Sequence, residues 1–163
     1  MSVVVRAARE EDEDALSALD HRLWATNHTP SPRPPSPRPF LTGWAAEHEV
    51  LVAEVEGALA GYVAVGRVLP IEANAHVLEV KGLLVDPAHR RRGIGAALVR
   101  AAVDAATRRG ARRLTLRVLA ANPEARALYE AEGFVVEGVL RGEFLLDGRY
   151  VDDVLMALEL PRG

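Results

Sequence analysis

The apolar residues of this chain follow the period of strands in some stretches and the period of helices in others. Alternating or β-branched runs predict strands at residues 2–6, 50–56, 59–68, 77–85, 113–119, 134–140 and 150–160. Apolar residues at helical spacing predict helices at residues 10–24, 40–48, 93–109 and 123–132. The order is roughly β-α-(α)-β-β-β-α-β-α-β-β, so the pattern predicts an α/β or α+β fold built on a mixed, twisted sheet.

The length of the chain fits one domain, and one segment within it is distinguished by proline. At 163 residues, we expect a single domain over residues 2–160. Six prolines fall within residues 30–39. Because proline lacks an N–H and fixes φ, this segment is predicted to be a non-helical, mobile surface loop. A proline motif that binds another protein is the alternative.

Composition and charge exclude several classes of protein. The chain has no cysteine, which rules out disulfides, thiolate zinc sites, iron–sulfur clusters and a cysteine nucleophile, and we expect no metal. A formal net charge of −3 does not suggest nucleic acid or a membrane surface as a partner. No apolar run approaches the roughly 18 residues of a membrane span, and the acidic N-terminal sequence does not resemble a signal peptide. We therefore expect a cytoplasmic protein.

A basic, glycine-containing segment is the strongest chemical signal in the sequence. From Lys81 to Arg117 there are ten basic and two acidic residues, which suggests a polyanionic ligand. A strand is predicted to end at Val85, and the loop from Arg90 to Gly95 then runs directly into a helix, whose first N–H groups carry the positive end of the dipole. Gly93 and Gly95 would let a phosphate approach the backbone, so the segment predicts a pyrophosphate site.

Other interpretations of this segment are a solvated turn and two common nucleotide motifs. A glycine-containing turn with solubilising arginines is the structural alternative. A Walker loop needs a lysine directly after its last glycine, and none follows here. The dinucleotide fingerprint needs a small residue where Leu98 stands, and an acid about 20 residues further on, where the chain has Arg112, Arg113 and Arg117. Both nucleotide motifs are therefore excluded by the residues.

The pattern Arg90-x-x-Gly93-x-Gly95 after a strand resembles the acetyl-CoA pyrophosphate loop of the GNAT family of N-acetyltransferases. The resemblance continues through Asn122 and the helix sequence PEARALYEAEGF, and it covers residues 2–160 loosely and 77–160 well. The C-terminal sequence is similar to the polyamine, ribosomal-protein-alanine and small-amine branches. The resemblance implies a GNAT fold, with a mixed twisted central sheet of about six or seven strands flanked by about four helices.

The resemblance also implies acetyl-CoA as co-substrate and a set of residues around it. The backbone before the loop would hydrogen-bond the pantetheine arm, the loop would wrap the pyrophosphate, and Tyr129 would protonate the departing thiolate. The implied cofactor-binding residues are Leu83, Leu84, Val85, Arg90, Arg91, Arg92, Gly93, Ile94, Gly95, Ala96, Asn122 and Tyr129. Two alternatives stay open: Asn122 fits a helix N-cap, and Tyr129 fits core packing.

Glu79 is the candidate general base. It precedes Arg90 by eleven residues, a spacing that resembles the catalytic glutamate of histone-type members. Strand alternation predicts that Glu79 shares a face with Lys81, Leu83 and Val85. An ion pair of Glu79 with Lys81 at a solvated strand end is the alternative. His76 and His89 are further titratable groups without a motif.

The implied reaction is direct attack of a neutral primary amine on the thioester, without a covalent enzyme intermediate. Deprotonating an amine with a pKa of about 10.4 costs roughly 4.6 kcal/mol at pH 7, against about 1 kcal/mol for an α-amino group near 7.8. This favours a low-pKa amine, although a small amine, an amino acid, a polyamine and a protein N-terminus all stay open. Five acids between Glu137 and Asp153 would attract a cationic acceptor. A catalytically silent acyl-CoA sensor is the alternative function, and a homodimer is an open possibility.

Overall fold

A seven-stranded mixed sheet forms the centre of the computed structural model, which describes residues 2–89 and 92–161. The strands are β1 Val3–Ala7, β2 Glu49–Val55, β3 Ala58–Arg67, β4 Val77–Val85, β5 Arg113–Leu119, β6 Val135–Leu146 and β7 Arg149–Glu159. They lie in the order β1-β2-β3-β4-β5-β7-β6. Only the β4 and β5 pair is parallel among these neighbours. The predicted mixed sheet is confirmed.

Within the described residues, three α-helices and a one-turn helix cover the two faces of the sheet. The α-helices are α1 Glu13–Arg22, α2 Ile94–Arg108 and α3 Pro123–Ala131, and a one-turn helix spans Phe40–Trp44. The predicted helix at residues 40–48 is therefore shorter than expected. Strand β6 is longer than expected: its pairing with β7 continues past residue 140 through two irregularities, which break the alternation that a sequence pattern relies on.

Helices α2 and α3 cover one face of the sheet. Ile94 and Leu98 of α2 are buried in the core against the sheet, and so are Ala102, Ala105 and Ala106. These small side chains allow close approach, while each fully buried leucine contributes about 1.5–3 kcal/mol. The spacing that predicted α2 is therefore the spacing of its buried face.

Helix α1 and the one-turn helix cover the opposite face. Leu16, Leu19 and Phe40 are buried there together with Tyr62 of β3, and the Phe40 and Tyr62 rings meet edge to face at 4.8 Å. The Glu13 carboxylate accepts hydrogen bonds from the Phe40 and Leu41 N–H groups, each at 3.0 Å. The first turn of α1 thereby fixes where the one-turn helix begins.

The proline-rich segment, residues 30–39, lies on the surface but is anchored along α1. Its carbonyls accept hydrogen bonds from three side chains: Ser17 to Arg38 at 2.6 Å, Trp24 to Ser31 at 2.8 Å and His21 to Pro34 at 2.9 Å. The expectation of a mobile loop missed this anchoring. Proline removes N–H donors but leaves every carbonyl available as an acceptor.

No helix within residues 2–89 and 92–161 is long and apolar enough to cross a membrane. In the same part of the chain, no three His, Asp or Glu side chains are grouped as they would be around a metal ion.

Candidate functional site

Strand β4 separates from its parallel neighbour after its first three residues. It pairs with β5 only through Val77, Leu78 and Glu79, whereas β3 follows it to Val85. Beyond Glu79, β5 continues beside β7 instead. In the described structure, residues 83–85 therefore have no strand partner on the β5 side, and their backbone groups on that side are available to a ligand.

The turn after β4 is held by Asp86. Its N–H donates to the Ala60 carbonyl at 2.8 Å, and its carboxylate accepts from the Ala88 N–H at 3.0 Å and from Arg22 at 2.8 Å. Burial acts to raise the pKa of this carboxyl, but the hydrogen bonds from Arg22 and Ala88 outweigh it and hold the pKa below its ordinary value. The end of α1 is thereby tied to the end of β4.

The two glycines of the loop have different roles. Gly93 is the N-cap of α2 and has a φ of 71°, a conformation that favours glycine. A Cβ on Gly95 would lie 3.0 Å from Leu128 of α3, so Gly95 allows the two helices to pack closely, whereas the sequence assigned it to ligand approach. Arg92 and Gly93 are exposed. The predicted ligands Arg90 and Arg91 lie outside the described residues.

A cavity of about 660 Å³ runs from the free side of β4 to the start of α2. Seven of the predicted cofactor residues line it: Leu83, Leu84, Val85, Gly93, Ile94, Gly95 and Ala96. Asn122 also lines the cavity. Its side chain accepts a hydrogen bond from the Ala125 N–H at 3.1 Å, so the same residue caps α3 and forms part of the cavity wall. The geometry brings these predicted residues together, while their contacts with a cofactor stay a prediction.

Several lining residues carry no sequence signal. The segment after α1 contributes Leu23, Ala25, Asn27 and His28, and the turn after β4 contributes His89. Burial lowers the pKa of His28, despite the nearby Asp20. The His89 Nδ1 atom is buried without a hydrogen-bond partner in the described structure. Only the fold brings the segment after α1 against β4.

Tyr129 does not line this cavity. It is 6% exposed, belongs to the core beneath α2, and packs its ring 5.8 Å from that of Phe134. Burial raises the pKa of its hydroxyl above the ordinary value, so the hydroxyl keeps its proton at neutral pH. The position agrees with the core-packing alternative, and the role as proton donor stays a prediction.

Glu79 lies where β4 and β5 part, and its predicted face is partly wrong. Its carboxylate forms an ion pair with Lys81 at 2.9 Å. The β3 to β4 register skips a residue at Lys81, because Ala64 faces Gly82 whereas Val65 faces Val80.

This bulge reverses the alternation of β4. Leu83 and Val85 therefore pack in the same core as Leu78 and Val80, and Glu79 is on the opposite face from them. Strict alternation had placed Glu79 together with Leu83 and Val85.

An aromatic and charged cluster covers the bulge on the α1 side. The Trp44 ring lies 3.0 Å from where a Gly82 Cβ would be. The Tyr62 hydroxyl donates to buried Asp20 at 3.0 Å, and Arg38 Nε donates to the other oxygen of that carboxylate at 3.0 Å. Burial, with Asp20 nearby, raises the pKa of Tyr62. We call Asp20, Trp24, Arg38, Trp44 and Tyr62 the aromatic cluster.

The five acids of the β6 and β7 hairpin already have partners within the chain. The pairs are Glu137 with Arg113, Glu143 and Asp153 with Arg117, Asp152 with the Gly142 N–H, and Asp147 with the Thr26 hydroxyl. The same ion pairs neutralise part of the basic stretch that suggested a polyanion. Neither the attraction of a cationic acceptor nor a nucleic-acid surface gains support from these contacts.

Compared with known proteins, residues 16–134 match the model of the "Acetyltransferase (GNAT) family". A ribosomal protein bS18-alanine N-acetyltransferase of Escherichia coli is 39% identical over 79 residues, 48% of this chain and 53% of that protein. A spermidine N(1)-acetyltransferase of Vibrio cholerae is 32% identical over 108 residues, 66% of this chain and 60% of that protein.

Among solved structures, a GNAT superfamily phosphinothricin acetyltransferase from Sinorhizobium meliloti, in complex with AcCoA, matches with a TM-score of 0.88. It is 25% identical, and the match covers 100% of this chain and 91% of that one. The fold is therefore shared along the whole chain, whereas this chain spans about half the length of the curated E. coli relative.

Proposed function

Because this chain belongs to the acetyltransferase (GNAT) family, we propose that it transfers the acetyl group of acetyl-CoA to a primary amine. The observation that carries the proposal is the parting of β4 from β5 after Glu79, beside a cavity that ends at the first turn of α2. We take residues 2–160 as the catalytic domain. A cytoplasmic location and a homodimer stay predictions.

The residues of the cavity fit acetyl-CoA. The free side of residues 83–85 offers amide groups to the amides of the pantetheine arm, and the N–H groups at the start of α2 suit the pyrophosphate. The cavity volume of about 660 Å³ lies within the range of small-molecule and cofactor sites. The bound thioester would supply the activated acetyl group. A backbone N–H of residues 83–85 would stabilise the oxyanion.

The amine must lose a proton, and Glu79 is the proposed base. It lies at the point where the two strands part, and its ion pair with Lys81 orients the carboxylate. A low-pKa amine asks least of this base, since removing a proton at pH 7 costs about 1 kcal/mol for an α-amine and roughly 4.6 kcal/mol for a lysine-like amine. Tyr129 is the proposed proton donor to the departing thiolate, and the raised pKa of its buried hydroxyl makes this proton transfer more costly than from a free tyrosine.

A thiol-release assay with acetyl-CoA over amines, amino acids, polyamines and peptides tests the proposal. We expect release of CoA with at least one class of acceptor. Gly93→Glu places a carboxylate at the mouth of the loop and should abolish acetyl-CoA binding in calorimetry. Unchanged affinity in that variant would refute the position assigned to the pyrophosphate.

A catalytically silent acyl-CoA sensor is the second candidate, and one observation favours it. Tyr129 is buried in the core and is absent from the cavity lining, so its hydroxyl has no evident route to a thiolate. Binding of acetyl-CoA without turnover on any amine of the panel would favour the sensor. Turnover that falls in Tyr129→Phe would favour the enzyme.

A further inference from the structure

Arg38, in the aromatic cluster, is held between two indole rings. Its Cζ lies 4.7 Å from the Trp24 ring centroid and 5.0 Å from that of Trp44. Its Nε donates to Asp20, whose carboxylate also accepts the Tyr62 hydroxyl. Such stacking and a charge-assisted hydrogen bond fix the plane of a guanidinium.

The outer edge of this guanidinium is available for a ligand. Among residues 2–89 and 92–161, the only hydrogen bond of the Arg38 side chain is the one from Nε, so neither terminal nitrogen has a partner there. The side chain is 28% exposed. Two fixed NH₂ groups form a planar fork that matches the two oxygens of a carboxylate.

The fork lies on the same face of the sheet as Glu79, the proposed base. Trp44 packs against Gly82, which lies in the bulge of β4, and Tyr62 pairs with Leu84 on the neighbouring strand. Trp44 therefore contacts both the Arg38 guanidinium and the backbone of β4 beside the bulge. It lies on the α1 face of the sheet, opposite α2.

We propose that Arg38 binds a carboxylate on the acceptor, so that the acceptor is an α-amino acid or a similar small amine with a carboxylate beside the amine. This inference rests on the proposed function. Since Asp20 already balances the charge of Arg38, recognition depends on the two-pronged hydrogen-bond geometry. An α-amine is also the acceptor that requires least of the base.

The test compares variants on matched acceptors. Arg38→Gln removes the charge and the fork, and Arg38→Lys keeps the charge without the fork. Arg33→Gln is the control, because Arg33 also anchors residues 30–39, through a 3.0 Å hydrogen bond to the His21 carbonyl, but is exposed and outside the cluster. Each protein is assayed by thiol release on L-α-amino acids and on their carboxamides, which keep the α-amine.

For each acceptor, the ratio of variant to wild-type kcat/KM cancels the different pKa values of the two amines. Both Arg38 variants should lose about 10- to 100-fold on the amino acids, the cost of a charge-assisted hydrogen-bonded pair, and little on the carboxamides. The Kd for acetyl-CoA and the activity of Arg33→Gln should stay near wild type.

Three results would count against the inference in distinguishable ways. Equal losses on acid and carboxamide would show that Arg38 only holds the proline-rich segment in place. Wild-type turnover confined to polyamines or peptides would overturn the carboxylate and leave the acetyltransferase intact. Absence of turnover with every acceptor, despite acetyl-CoA binding, would overturn the proposed function and this inference with it.

Discussion

Replacing Gly93 with alanine tests whether the loop before α2 has the backbone described here. Gly93 has a φ of 71°, and a Cβ built on it meets no atom within 4 Å. Alanine therefore fits the space but not the conformation, and the left-handed region costs an L-residue about 1–2 kcal/mol. At roughly 2–4 °C per kcal/mol for a chain of this size, the melting temperature should fall by about 2–8 °C.

Gly148 supplies a matched control. Its φ is 77°, its Cβ position is equally open, and it lies at the tip of the β6 and β7 hairpin and is not among the residues that line the cavity. Gly148→Ala should lose similar stability in differential scanning fluorimetry and bind acetyl-CoA normally in calorimetry.

If the loop of Gly93→Ala relaxes to another backbone conformation in the free protein, acetyl-CoA binding must restore the left-handed conformation and supply its cost of about 1–2 kcal/mol. The Kd for acetyl-CoA should then rise about 5- to 30-fold. A Gly93→Ala protein with wild-type stability and wild-type affinity would refute the argument from φ. So would a Gly148→Ala protein with equally weakened binding.

Tyr129, Glu79 and Asp12 each allow a separate test. Tyr129→Phe keeps the ring contact with Phe134, so the melting temperature should stay near wild type while kcat falls in thiol release, and a wild-type kcat would remove the hydroxyl from the reaction. Glu79→Gln should change the acidic limb of the pH profile of kcat/KM, and an unaltered limb would exclude Glu79 as the base. The hydrogen bond from Arg6 lowers the pKa of Asp12 from its ordinary 3.8, so this carboxyl stabilises the fold above that pH and less so as the pH falls below it. In urea denaturation between about pH 5 and pH 2, Asp12→Asn should therefore lose less unfolding free energy than wild type, and equal losses would contradict the role of that ion pair.

The regular elements were predictable because their signals are local. The buried face of α2 repeats at helical spacing, and Asn122 followed by Pro123 marks the start of α3, where the cap hydrogen bond is found. The basic loop between β4 and α2 was equally visible, since glycines and arginines are written directly into the sequence. These features placed most of the predicted cofactor residues on one cavity.

The features that were missed depend on contacts between distant residues. The bulge at Lys81 is a property of how β4 pairs with β3, and no residue type marks it. The segment after α1 reaches the cavity next to the hydrogen bond between Arg22 and Asp86, which are 64 positions apart and join the end of α1 to the turn after β4. The pairing of the hairpin acids is likewise tertiary, so the sequence showed their charges without their partners.

The single extra residue at Lys81 makes the length of β4 as important as its composition. Side chains alternate between the two faces of a strand, so deleting one residue there would move every following side chain of β4 to the opposite face. Leu83 and Val85 would turn towards α1, and Leu84 would turn towards α2. The apolar residues of β4 would still be buried on one face or the other, so we expect such a variant to fold. What it would lose is the wall of the cavity as it stands, because Leu83, Leu84 and Val85 all line that cavity and each would turn to the opposite face of the sheet.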